Sequence, residues 1–263
     1  MKQITSADNP QYKQLKKLAS NARERRKCGQ TLLDGVHLLQ ALADAGGTTE
    51  LLIVRQGSGA DAEIQRCLEW FPTAPVIELV AVLFDAISPV ETPVGILALY
   101  TIPQPEESMP ECAVLLENIQ DPGNIGAILR TAAAAGANAV YLSKGCAEAW
   151  SPKVLRAAMG AHFVLAIYEQ QDLAQLSADL PTVIATRLDA EQSLYDLDLH
   201  GQVAFLFGNE GAGLSDELAV CATHHVTIPM PGKVESLNVA AAAAVCLFER
   251  VRQISRSSGP ALG

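Results

Sequence analysis

Three times after residue 112 the chain leaves a short apolar run, passes through a loop rich in glycine, proline and asparagine, and enters a helical pattern. The loops are ENIQDPGNIGAILR (117–130), FGNEGAGLS (207–215) and IPMPGKVESLN (228–238). Around them the spacing of apolar residues predicts strands at 113–116, 140–143, 164–167, 182–186, 203–207 and 226–229. Helical patterns fall at 125–135, 152–159 and 237–254. Strands that alternate with helices build a parallel sheet with helices on its faces. Open sheets of this kind put their chemistry at the carboxyl ends of the strands. Three such loops in one sheet therefore predict one composite site.

The N-terminal part reads as a smaller α/β unit. Residues 11–27 form an amphipathic helix with Tyr12, Leu15 and Leu18 on one face. Helices follow at 36–45, ending at Gly46-Gly47, and at 61–70, with strands at 51–54, 76–80 and 95–100. The stretch TIPQPEESMP (101–110) has three prolines and no apolar period, and is the linker. This gives an N-terminal domain over 1–103, a linker over 104–111, a second domain over 112–256 and a flexible tail over 257–263.

Composition excludes several classes. With 49% hydrophobic and 18% charged residues the chain can bury a proper core. No apolar run approaches the ~18 residues of a membrane span, and the start MKQITSADNPQYK has no secretory pattern. The six cysteines are scattered, with neither metal-site nor disulfide-framework spacing. These features predict a reduced, cytoplasmic protein with no metal. The net charge of −10 is uneven: residues 1–27 carry eight Lys and Arg against Asp8 and Glu24. Lys13, Lys16, Lys17, Arg23, Arg25, Arg26 and Lys27 are thus candidates for contact with a phosphate backbone.

Within the loops, Asp121-Pro122-Gly123-Asn124 is turn chemistry, with Asn124 positioned to cap the next helix. Arg130 is the only charged residue between 123 and 143 and presents a forked donor suited to phosphate or carboxylate. The glycines of the second loop are spaced GxxGxG, not the GxGxxG of dinucleotide sites, and no Walker lysine follows. They allow close approach of backbone to a ligand. In the third loop Ser236 is placed as an N-cap, with Asn238 in the first turn.

In this order and spacing, NIQDPGNIGAILRTAAAAGA, FLFGNEGAGLS and IPMPGKVESLNVAAAAAVCLFE resemble the three signature motifs of the SpoU/TrmH family. These are RNA 2′-O-ribose methyltransferases of the SPOUT superfamily. SPKVLRAAMGA (151–161) fits the same pattern, and LLDGVHLLQALADAG with ETPVGILALY resembles the L30e-like substrate-binding domain often attached to it. The resemblance implies an α/β fold with a C-terminal parallel-sheet SPOUT domain, a deep trefoil knot formed by the second and third motifs, and a homodimer. It implies S-adenosylmethionine as cofactor and structured RNA as substrate, rRNA more than tRNA.

Carried over position by position, the resemblance implies catalytic roles for Asn124, Arg130, Glu210, Ser236 and Asn238. Gly208, Ile228 and Leu237 would hold the cofactor largely through backbone, and Thr186 and Met230 would line its adenosine pocket. Asn124 is expected to orient Arg130 or the RNA, and Glu210 to fix either the Arg130 side chain or the loops. Ala240 departs from the family's usual Ser, and Val94 from its usual Gln. Three rival readings remain: an RNA-binding protein on an inactive scaffold, a methyltransferase of a base nitrogen, and a dinucleotide-dependent enzyme. The glycine spacing disfavours the last.

Overall fold

The strand-length apolar runs assemble into two sheets, one in each of two units of the chain. The computed structural model describes residues 1–106 and 108–257. The first unit comprises Met1–Gln104 together with Trp150–Phe163; the second takes Pro105–Ala149 and the chain from Val164 on. The division after Gln104 falls in the expected linker. The expected tail lies, from residue 258 on, outside the described residues.

In the first unit the order is β1 (Lys2–Ile4), α1 (Pro10–Ser20), α2 (Ala22–Cys28), β2 (Gln30–Asp34), α3 (Val36–Asp44), β3 (Leu51–Arg55), α4 (Ala62–Trp70), β4 (Val76–Leu79), α5 (Ala81–Asp85) and β5 (Ile96–Thr101). The sheet runs β1-β4-β3-β5-β2, with β5 antiparallel to both of its neighbours. Tyr12, Leu15 and Leu18 are buried against it as the helical period predicts. The single helix expected over 11–27 is broken, however. Asn21 has extended backbone, ends α1 and caps α2, its Oδ1 accepting from Arg23 N (2.9 Å) and Glu24 N (3.3 Å). An asparagine that can bond its own following amides competes with helix continuation. The strands β1 and β2 are additions to the expected pattern; β1 is only three residues long.

In the second unit the chain continues through β6 (Cys112–Leu116), α6 (Pro122–Ala134), β7 (Ala139–Ser143), α7 (Pro152–Ala158), β8 (Ala166–Gln171), α8 (Leu173–Asp179), β9 (Val183–Thr186), β10 (Gln192–Ser193), β11 (Val203–Phe207), α9 (Asp216–Ala219), β12 (His224–Thr227) and α10 (Val239–Ser257). Seven strands run parallel in the order β10-β12-β9-β11-β6-β7-β8. All five residues of β6 and of β11 are buried, as central parallel strands require. The chain steps outward from β6 to β7 and β8, then returns on the other side of β6. The order therefore reverses between β6 and β11, where such sheets open a crevice for a ligand.

The helix α7 departs from the expectation of an unbroken second domain over 112–256. Its segment packs within the first unit. The Thr31 hydroxyl donates to the Trp150 carbonyl at 2.9 Å. The Tyr100 ring stacks on Trp150 at 5.9 Å and meets Phe163 edge-on at 5.5 Å. Among the described residues no helix is long and apolar enough to cross a membrane.

Candidate active site

The reversal point of the sheet determines which loops meet. The first loop leaves β6 and the second leaves β11, its immediate neighbour. Glu117, buried at the end of β6, accepts a hydrogen bond on Oε2 from Ser215 N at 2.8 Å, which ties the start of the first loop to the end of the second. Asn118 adopts a left-handed conformation (φ 54°), and its carbonyl accepts from Asn209 Nδ2 at 2.8 Å. Asn209 folds the second loop upon itself: its Oδ1 accepts from Gly211 N (2.9 Å) and Ala212 N (3.0 Å), while its backbone pairs with Gly213 in both directions.

A continuous set of side-chain hydrogen bonds then joins all three loops. Glu210 Oε1 accepts from Asn124 Nδ2 at 3.0 Å and from Asp121 N at 3.3 Å. Asn124 Oδ1 in turn accepts from Asn238 Nδ2 at 2.9 Å. Asn238 Oδ1 accepts from Ala240 N (2.9 Å) and Ala241 N (3.4 Å), which caps α10. The chemistry fixes the amide orientations. An ionised carboxylate only accepts, so Asn124 must present its NH2 to Glu210 and its oxygen to Asn238. That turns the NH2 of Asn238 toward Asn124 and leaves its oxygen for the helix.

Two expected caps are corrected by these contacts. Asp121, not Asn124, caps α6, with Oδ1 accepting from Gly123 N (2.6 Å) and Asn124 N (3.0 Å). Asn238, not Ser236, caps α10, which begins at Val239 rather than Leu237. Neither Asn124 nor Glu210 holds Arg130. Arg130 is exposed on α6 and makes no hydrogen bond or ion pair among the described residues. Of the two roles expected of Glu210, it performs the one of fixing the loops.

Burial pushes the Glu210 carboxyl upward. Hydrogen bonds from Asn124 and from the amides of Asp121 and Gln120 outweigh it and hold the pKa below the usual value. A depressed pKa means that this carboxylate supports the loops at every pH above the ordinary glutamate range. The support is lost only as pH falls through the lowered value. Ligand affinity at the cavity beside it should therefore be flat from neutral pH down to that range and decline below it. A Glu210→Gln variant should be weaker at neutral pH and lack this acid-side decline. A titration of affinity against pH reads both.

Beside this set of bonds lies a cavity of about 530 Å³. All five residues expected to hold a cofactor line it: Thr186 at the end of β9, Gly208 after β11, and Ile228, Met230 and Leu237 in the third loop. Ser236, Asn238 and Glu210 line it as well, whereas Asn124 and Arg130 do not. Its size suits a small organic ligand, and apolar walls with a few convergent polar groups are the usual makeup of such sites. Gly208 is there by steric necessity, since a Cβ would overlap the Gly213 carbonyl group and the Leu214 amide. Sequence reasoning missed Glu117 and Asn209. Glu117 opens the first loop just ahead of its motif and Asn209 lies within the second motif, but only the three-dimensional pairing shows what they hold.

Six of the seven basic side chains expected at a phosphate backbone stand exposed. Lys13, Lys16, Lys17, Arg23, Arg26 and Lys27 are exposed, with Lys13 paired to Asp8 at 2.8 Å. Arg25 is a correction: it is 5% exposed and its guanidinium donates to the Leu18 carbonyl at 2.5 Å, so it secures the end of α1 instead of facing a ligand. Charge reversal of Lys16, Lys17 and Arg26 should weaken RNA binding. It should also flatten the salt dependence by about one log–log unit for each phosphate left unneutralised. Binding isotherms at several salt concentrations measure this. An unchanged slope would make the face merely solvated.

Comparison with known proteins gives a consistent picture. Residues 111–248 match the model of the SpoU rRNA Methylase family, and residues 9–98 match the MRM3-like substrate binding domain. An uncharacterised tRNA/rRNA methyltransferase of Synechocystis is 37% identical over 98% of this chain and 96% of its own. The 23S rRNA (guanosine(2553)-2′-O)-methyltransferase RlmP of Bacillus subtilis is 32% identical over 94% of this chain and 98% of its own. The crystal structure of an AdoMet-bound rRNA methyltransferase from Sinorhizobium meliloti superposes with a TM-score of 0.82 at 27% identity, covering 96% of this chain and 98% of the other.

Proposed function

The chain belongs to the SpoU rRNA methylase family, and on that premise we propose that it methylates a ribose 2′-OH of rRNA with S-adenosylmethionine as methyl donor. The observation that carries this reading is the hydrogen-bonded set Asn238–Asn124–Glu210, which unites three loops beside the cavity. The residues present fit the cofactor. Gly208 and the loop segment packed against it form one wall, and Ile228, Met230 and Leu237 offer apolar surface for an adenosyl group. Bound there, S-adenosylmethionine supplies a methyl group on an already activated sulfonium.

The protein's contribution is then alignment and electrostatics. Positioning an attacking hydroxyl in line is worth several kcal/mol of barrier, up to about 7–11 in favourable cases. Arg130 is the residue assigned to the RNA. A guanidinium stays protonated throughout the working pH range, which makes it a poor base. It suits clamping a neighbouring phosphate and stabilising the alkoxide as it develops. Asn124 and Glu210 act on the loops, and Ser236 and Asn238 shape the pocket wall. The first unit presents the basic face of α1 and α2 to the RNA backbone.

The same reading includes the family's trefoil knot through the second and third loops, a homodimer, and action in the cytoplasm. The choice of rRNA over tRNA rests on the relatives' substrates. The test is transfer from labelled S-adenosylmethionine to rRNA and tRNA separately, with nucleoside analysis. A 2′-O-methylated nucleoside from rRNA is the expected product. A base-methylated nucleoside would overturn the ribose assignment, and cofactor binding without transfer to either pool would favour the inactive scaffold.

A further inference from the structure

The first unit holds a cavity of its own, about 630 Å³ in volume, that none of the catalytic argument uses. Its wall is made by the turn from β2 into α3, by Glu63, by the loop over 89–94, and by Arg156 on α7. The turn is tight because Gly35 adopts φ 89°, a conformation open to glycine, and this sets Asp34 and His37 on the same cavity.

Asp34 is the informative residue. It is half-buried, and its Oδ2 accepts from the Ser88 hydroxyl at 2.8 Å. Its Oδ1 accepts no hydrogen bond among the described residues. Burial pushes this carboxyl up, against the opposing pull of Ser88 and of the Arg156 charge. Arg156 is close enough to be felt electrostatically, yet it makes no hydrogen bond or ion pair among the described residues. A half-buried acceptor and a forked donor thus face one cavity with bonding capacity left over, between the apolar side chains of Val36, Val90 and Val94.

The charge at the rim selects the ligand. Asp34, Glu63 and Glu91 outnumber Arg156 and His37, which disfavours a phosphate or carboxylate and favours a ligand edge rich in N–H groups. Among RNA bases, guanine alone places two adjacent donors, N1–H and N2–H, where one carboxylate can accept both. It also carries the O6 and N7 acceptors that an arginine fork recognises. In RNA such edges are open to proteins chiefly on unpaired, splayed-out bases.

We propose that this cavity receives an unpaired guanine of the RNA, with Asp34 accepting from its N1–H and N2–H and Arg156 donating to its O6 and N7 edge. This rests on the reading of the chain as an RNA methyltransferase. It adds a base-specific contact to a unit otherwise argued only from its phosphate-binding face.

The test is calorimetric titration of the full chain with guanosine, inosine and adenosine 5′-monophosphates, the second unit's cavity being first saturated with S-adenosylhomocysteine. That first step decides the methyltransferase reading by itself, and the nucleotide titrations decide this proposal whatever its result. The guanine nucleotide should bind about tenfold or more tightly than the inosine nucleotide, which lacks only the N2 amine, because a hydrogen bond to a charged group is lost. The adenine nucleotide should bind more weakly still. Asp34→Asn should abolish the guanine-over-inosine difference, and Val94→Trp, which fills the cavity from its exposed rim, should abolish nucleotide binding with S-adenosylhomocysteine affinity retained. Equal affinity for the guanine and inosine nucleotides, or a difference that survives Asp34→Asn, overturns the proposal.

Discussion

An Arg130→Ala variant is expected to bind S-adenosylmethionine as the parent does and to lose about 10²–10³-fold in methyl transfer. The two halves of this expectation come from the same geometry. Arg130 makes no hydrogen bond or ion pair among the described residues and does not line the cavity. Its removal therefore leaves the Asn238–Asn124–Glu210 set and the cofactor walls intact. On the proposed reading, what it removes is a donor that engages only when RNA is present. Arg130→Lys keeps the charge but not the fork, and should recover part of the rate if phosphate clamping dominates. Single-turnover transfer with separately measured cofactor affinity is the appropriate assay. Turnover near that of the parent in Arg130→Ala would remove this residue from the chemistry altogether.

Gly208→Ala should do the opposite, weakening cofactor binding by about 5- to 150-fold and with it every downstream step. The added methyl would overlap the Gly213 carbonyl group and the Leu214 amide, which are backbone and cannot swing aside. Nor can that stretch retreat easily. Asn209 and Gly213 are paired through both backbone bonds, and Ser215 is held by buried Glu117. Overpacking of this kind costs about 1–3 kcal/mol in a rigid setting, here spent on displacing the loop that forms the cavity wall. Gly211→Ala is the matched control, because its Cβ would meet only Asn209 Oδ1 at an ordinary 3.6 Å. A loss of affinity at 208 and not at 211, read by calorimetry, is the expected pair of results. Equal affinities in both variants would mean that the close approach at Gly208 has no bearing on the cofactor.

Much of the second unit is legible in the sequence because its central strands, β6, β7, β9 and β11, are buried and read as uninterrupted apolar runs. The run VAFLF has the same bounds in the sequence pattern and in the fold, 203–207. Helix starts are less legible, since polar residues that can cap compete within two or three positions of one another. Asp121 and Asn124 are both able to cap, and the sequence does not show that Asn124 is engaged elsewhere. The same holds for Ser236 and Asn238. The motifs nominate four members of the site that do bond or line it, Asn124, Glu210, Ser236 and Asn238. They do not show that the bonds run among the loops and leave Arg130 apart. In the first unit, charge pattern alone groups Arg25 with its neighbours. The structure instead buries this one side chain on α2, where its guanidinium reaches back to the Leu18 carbonyl.

The segment Trp150–Phe163 gives the chain an order of assembly. The first 104 residues leave the ribosome without the piece that stacks on Tyr100 and bonds Thr31, and that piece is separated from them by the whole of β6, α6 and β7. At about 5–20 residues per second, translation delivers it some 2–10 seconds later. For that interval the N-terminal unit is a nascent body with an open seam. It is closed by a strip of polypeptide that arrives only after the other sheet has begun, so neither half of this protein is finished before the other has started.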